Sequence, residues 1–269
     1  MKKIILSLVT LVSLVTLSAC GSSSSSDLQE SVKEKGKLVV ALSPDYAPFE
    51  FKALVDGKDK VVGSDIDLAQ AIADKLGVKL VISTMNFENV LTSIQTKKAD
   101  IAISGLSYTK ERAKVFDFSK SYYETKNAIL VKTSEISSNQ SLSDLSGKKV
   151  AVLKGSIEEG LAKDQLKSSN IVSLTSMSEA ISELKSGKVD AVDLEGPVAQ
   201  GYISQNADIS LASFALKTGE GDAKAVVLPK NNSKLKKTIN EVISELEKDE
   251  KYQKFIDEAA KLTSSKVKE

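Results

Sequence analysis

The 269 residues carry 37 lysines and arginines against 36 aspartates and glutamates, with no histidine and a formal net charge of +1. So even a balance offers no electrostatic footprint for nucleic acid, and the lack of imidazole removes the commonest metal ligand and general base. The single cysteine, Cys20, excludes an internal disulfide framework and a thiolate metal cluster, so no metal or other cofactor is expected.

At the start of the chain, Lys2 and Lys3 precede an uncharged apolar stretch from Ile4 to about Leu17. That is the layout of a secretory signal, and it is short for a membrane span. It ends at Leu17-Ser18-Ala19-Cys20, which resembles the lipobox of bacterial lipoproteins. The resemblance implies a signal peptide over 1–19 and lipidation of Cys20, palmitate included, with the mature protein held on the extracellular face of the cell membrane. Two or more acyl chains are needed for stable attachment. Residues 20–36, with five consecutive serines from Ser22 to Ser26, are expected to form a flexible tether.

Beyond the tether, a strand is expected from Leu38 to Ala41, followed by an aromatic stretch with Tyr46, Phe49 and Phe51. "GSDIDL" opens a helix with Asp65 as its expected cap, and a second strand runs from Lys79 to Ile82. Phe87, Val90, Leu91 and Ile94 then recur at helical spacing before Ala99-Asp100 and a strand from Ile101 to Ile103. Ninety residues on, Met177, Ala180, Ile181 and Leu184 repeat that spacing, and Val189-Asp190 precedes a strand from Ala191 to Asp193. A further strand from Lys149 to Leu153 lies between them. Strands alternating with amphipathic helices predict α/β architecture with mostly parallel sheets. The tail from Asn232 to about Leu262 reads as helical throughout.

In open parallel sheets ligands bind at the carboxyl ends of strands, so the loops there are the candidate site. After the strand ending at Ile103 comes Ser104-Gly105-Leu106-Ser107, then Thr109 as N-cap of a helix carrying Arg112 at about its third position. Arg112 is the only arginine, set among 36 lysines. Its planar fork grips a carboxylate through two parallel hydrogen bonds, which lysine cannot do. With the Ser107 hydroxyl and free backbone N–H groups eased by Gly105, it predicts a carboxylate socket. In the second half, Lys154-Gly155-Ser156 follows a strand, and Ser156 to Glu159 fits a capping box. Gly155 and Ser156 would offer N–H groups to the same carboxylate if the two halves face each other. Glu195, in the loop before Pro197, is the acid best placed for an ammonium group, while Tyr46 and Phe87 are candidates for the pocket wall.

Together "DYAPFEF", "GSDIDL", "SGLSYTKERAKVFDFS" and "VDAVDLEGPVA" resemble the extracellular solute-binding proteins of polar amino acid ABC transporters, family 3, over about Gly36 to Lys261. The resemblance implies a two-lobe, type II periplasmic-binding-protein-like fold that closes on a free amino acid. Lobe 1 would comprise 37–126 plus 224–262 and lobe 2 would comprise 127–223, with a two-strand hinge near Lys126 to Leu130 and Lys224 to Leu228 and a tail at 263–269. It assigns the α-carboxylate to Arg112, the Ser104 to Ser107 loop and Ser156, the α-ammonium to Glu195, and ring contacts to Tyr46 and Phe87. Implied partners are the ligand, an ABC permease and, through Cys20, the membrane; a monomer is expected and nucleic acid is not. Ser43, itself a candidate ligand contact, stands where relatives selective for basic ligands often carry an acid, and Ser64 and Leu153 also depart from patterns seen in relatives. These departures blur the specificity; a polar or uncharged ligand is favoured, with arginine or lysine left open because Glu50, Asp45 or Asp193 could reach a cationic tip. No enzymatic activity is expected. The alternatives are an adhesin or sensory lipoprotein of the same fold, or a dehydratase acting on prephenate or arogenate.

Overall fold

The computed structural model describes residues 27–218 and 223–264, so the leader, Cys20 and the serine run lie outside the described residues. Part of the expected tether is ordered: Leu28–Glu34 forms helix α1, whose N-cap Asp27 accepts from the Gln29 N–H and whose Val32 is buried.

The first part of the chain contains β1 (Lys37–Leu42), β2 (Asp45–Tyr46), β3 (Glu50–Val55), β4 (Lys58–Val62), α2 (Ser64–Leu76), β5 (Lys79–Thr84), α3 (Phe87–Gln95), β6 (Ile101–Ala102), α4 (Lys110–Val115) and β7 (Phe116–Glu124). There follow β8 (Asn127–Lys132), β9 (Lys149–Leu153), α5 (Ile157–Gln165), β10 (Asn170–Leu174), α6 (Met177–Ser186), β11 (Ala191–Glu195), α7 (Gly196–Ile203) and β12 (Ile209–Leu211). The chain then returns as β13 (Ala223–Pro229), α8 (Ser233–Lys248) and α9 (Lys251–Ser264).

Two five-stranded sheets result, one ordered β5-β1-β6-β13-β7 and the other β10-β9-β11-β8-β12. In each, four strands point one way, and the strand that arrives from the other sheet, β13 or β8, runs against its neighbours. The mostly parallel sheets expected from the sequence are therefore interrupted where the chain crosses over. The crossings lie between Glu124 and Asn127 and between Leu211 and Ala223. A smaller antiparallel sheet, β2-β3-β4, sits beside the first, with Asp56 and Gly57 at positive φ in its tight turn.

The ninety-residue repeat is structural. Asp100 exchanges two hydrogen bonds with Val39 of β1: its N–H donates to the Val39 carbonyl, and its carboxylate accepts the Val39 N–H at 2.7 Å. Asp190 does the same with Lys149 of β9, accepting its N–H at 2.7 Å. Each repeat thus follows its helix with a left-handed residue, Lys97 or Gly187, and pins the next strand to a parallel neighbour, β1 or β9. Both helices bury the faces that their periodicity predicts.

Two expectations are corrected. The tail is not one helix: α8 stops at Lys248, Glu250 takes a positive φ, and α9 restarts at Lys251 and runs to Ser264, into the expected tail. Asp65 does not cap α2. The N-cap is Gly63, where a Cβ would lie 2.1 Å from the Phe49 carbonyl oxygen, and Asp65 turns inward to other donors. Ser64 beside it is fully buried and bonds the Tyr252 hydroxyl at 3.1 Å, which uses the space its small side chain leaves.

Candidate ligand-binding cleft

The loops after β6, β9 and β11 and the start of α3 converge between the two sheets around about 240 Å³ of atom-free space. The first sheet's side supplies Tyr46, Phe87, Gly105, Ser107 and Arg112. The opposite side supplies Leu153, Ser156, Ile157, Glu158 and Glu195, and Lys224 enters from the crossing strand β13.

Thr109 caps α4 by accepting the Arg112 N–H at 3.0 Å, which fixes Arg112 at the third helical position. Its guanidinium donates to the Ser107 carbonyl at 2.9 Å and, across the cleft, to the Gly155 carbonyl at 3.1 Å. A guanidinium has five N–H donors, so the fork retains capacity for a carboxylate. Burial lowers its pKa, and the charges of Glu158 and Glu195 oppose that shift.

The loop N–H groups expected to be free are committed. Gly105 N–H donates to Asp65 at 2.9 Å, Gly155 N–H to Glu159 at 2.7 Å and Ser156 N–H to the Leu153 carbonyl at 3.1 Å. Buried backbone donors rarely wait for a ligand, and these tight turns bring acceptors within reach. The capping box is correspondingly half-formed: Ser156 Oγ accepts the Glu159 N–H at 3.2 Å, while the Glu159 carboxylate takes Gly155 rather than Ser156. Gly105 is required for its backbone, because it holds φ 54° and a Cβ would meet the Tyr46 ring at 3.1 Å.

Three candidates stand behind the cleft rather than on it. Ser104 Oγ donates to Glu50 at 2.8 Å and accepts the Ser43 N–H at 3.0 Å. Leu106 packs into the core. Ser43 Oγ bonds Asp45 at 3.1 Å, beside a neighbouring groove. Glu50 is held by Ser104 and Asp45 by the Met177 N–H at 2.7 Å, so neither is the acid placed for a cationic tip. Asp45 instead ties the two sides together at the start of α6, and Tyr202 donates to its carbonyl at 2.9 Å. Lys154 pairs with Glu88 across the cleft at 2.7 Å.

Glu195 is 2% exposed, and one of its oxygens accepts from Lys224, itself 2% exposed. Lys224 also donates to Ser107 Oγ at 2.8 Å. Burial pushes Glu195 up to about 7 despite the opposing Lys224 charge. Glu158 is 4% exposed and lines the same wall. Asp193 is fully buried with no hydrogen-bond partner on either oxygen, and burial with the Glu158 charge pushes it well above the usual carboxylate range.

The sequence reading missed Glu158 and Lys224 as cleft residues. Glu158 sits in the first turn of a helix, where an acid is commonplace. Lys224 stood in an expected hinge, and its signal was a lone charge opening the apolar run "AVVLP".

The profile of the family described as bacterial extracellular solute-binding proteins, family 3, matches residues 38–259. The arginine-binding extracellular protein ArtP of Bacillus subtilis is 36% identical over 250 residues, covering 92% of this chain and 93% of ArtP. Among solved structures, the amino acid ABC transporter substrate-binding protein AbpA from Streptococcus pneumoniae bound to L-arginine is 49% identical with a TM-score of 0.85, covering 87% of this chain and 98% of that one. An ancestral arginine-binding protein bound to glutamine is 39% identical with a TM-score of 0.76, covering 83% and 97%.

Proposed function

This chain belongs to the bacterial extracellular solute-binding proteins of family 3 and serves amino acid ABC transport, and on that premise we propose that it captures free L-arginine in the cleft. The charge inventory of the site carries the reading. Arg112 is oriented for a carboxylate and Lys224 is spent on Glu195, which leaves Glu158 on the wall as surplus acid. A cationic side chain balances that surplus, whereas an uncharged ligand leaves it standing. This replaces the expectation of a polar or uncharged ligand. The arginine in AbpA and the name of ArtP agree with it.

In this reading the Arg112 fork takes the α-carboxylate together with the Ser107 and Ser156 hydroxyls. The second oxygen of Glu195, which has no partner, takes the α-ammonium. Tyr46 and Phe87 flank the aliphatic stem. Arg112 already reaches Gly155 on the far wall, so a ligand bonded to both sides stabilises closure more than the open form. Lipidation of Cys20 keeps the protein on the outer face of the membrane, and the closed form delivers its ligand to an ABC permease.

Isothermal titration tests the proposal. L-arginine should bind and raise the melting temperature in proportion to the logarithm of its concentration, with glutamine weaker. No heat with arginine, or tighter binding of glutamine, would refute it. Arg112→Lys should weaken binding by about 10- to 100-fold, since a charge-assisted hydrogen bond is worth about 1.5–3 kcal/mol.

A further inference from the structure

Lys224 is a charged side chain buried at the crossing between the two sheets, and its single ammonium reaches a group on each wall. On the first side it donates to Ser107 Oγ at 2.8 Å. An ammonium only donates, so Ser107 Oγ accepts and its own proton points elsewhere. On the second side it donates to one oxygen of Glu195 and leaves the other without a partner. We propose that Lys224 is a positioning residue for the ligand, which turns the Ser107 hydroxyl proton toward the carboxylate and keeps Glu195 ionised for the ammonium.

This inference rests on the amino-acid-capture reading. Its alternative is that the Lys224 ammonium competes with the ligand for Glu195, and the two predict opposite signs. The groups facing Glu195 are Lys224 from β13, Arg112 from α4, Glu158 from α5, Tyr46 from β2, Tyr123 from β7, and Asp193 on its own strand. Glu158 opposes its ionisation and the Tyr46 hydroxyl favours it; Lys224 is the cation in direct contact. With Glu195 near 7, affinity should weaken as pH falls through neutrality, because its protonated form no longer attracts an ammonium.

The test is arginine titration of wild type and Lys224→Met from pH 6 to pH 9.5. The variant is expected to bind at least about tenfold more weakly at pH 7, with the inflection of its affinity curve moved upward by about one pH unit or more, the shift an adjacent opposite charge produces. For 5-guanidinopentanoic acid, which is arginine without its α-amino group, the variant's upward shift should vanish. Tighter binding by Lys224→Met, or an unmoved inflection, overturns the proposal. If that variant melts too early to titrate, Lys224→Gln takes its place, with the same upward shift of the inflection expected, since its amide is a hydrogen-bond donor that carries no charge. Absence of arginine binding in wild type would instead sink the capture reading.

Discussion

Beneath the loop carrying Gly105, Glu50 and Asp65 lie fully buried with three of their four oxygens engaged. Ser104 donates to Glu50, while Tyr252, Tyr122 and the Gly105 N–H donate to Asp65 at 2.9–3.0 Å. Across the cleft, Asp193 and Glu195 are buried as deeply, yet only the Glu195 oxygen held by Lys224 has a partner. Residue type and burial are alike, so the supply of donors makes the difference. A satisfied acid pair fixes geometry, here the position of the loop over which a ligand carboxylate would sit. An unsatisfied pair stores a demand for positive charge that a ligand can meet. Burial and the neighbouring Asp65 charge push Glu50 well above the usual carboxylate range.

Substituting one member at a time would break or sharpen that contrast. The largest effect is expected for Glu195→Gln, which should weaken arginine binding by about 10- to 100-fold through loss of a charge-assisted bond. Calorimetry giving an unchanged dissociation constant would remove Glu195 from the ligand's partners. Next, Tyr252→Phe strips one donor from Asp65 and the partner of Ser64. It should lower stability in urea unfolding by about 1–2 kcal/mol while leaving the dissociation constant within about threefold. A large loss of affinity without loss of stability would show that the first cluster is also part of the binding surface.

The smallest effect is expected for Asp193→Asn. A carboxyl whose folded pKa lies above its ordinary 3.8 contributes most below that value and loses its contribution as pH rises toward the folded value. Asparagine does not titrate, so the variant should match wild type near pH 4 and gain on the order of 1 kcal/mol at neutral pH. A melting-temperature difference that shrinks as pH rises would contradict the sign and show a counter-charge on Asp193.

The sequence signals that survive are those made by neighbours along the chain. Thr109 bonds the Arg112 N–H because the two stand three residues apart in a helix start. Asp100 and Asp190 announce the same turn-to-strand junction because the repeat places each beside a parallel neighbouring strand, β1 or β9. The glycine at 105 suits the positive φ of 54° that the turn takes there, whereas its fit against the Tyr46 ring is a long-range contact. What was misread is what long-range packing determines. The N–H groups of Gly105 and Gly155 look identical along the chain, and nothing local tells that Asp65, forty residues away, takes the first.

By itself, then, the order of residues determined two matching helix-strand units, an α/β architecture and a lone guanidinium at a helix entrance, because hydrogen bonding and periodicity act over a few residues. Only the tertiary structure decided that Lys224 meets Glu195 and Ser107, that Ser104 and Ser43 stand behind the wall, and that Glu158 stands on it. Those outcomes depend on which groups two sheets bring within 3 Å of each other out of water, where a charge must find a partner or shift its proton.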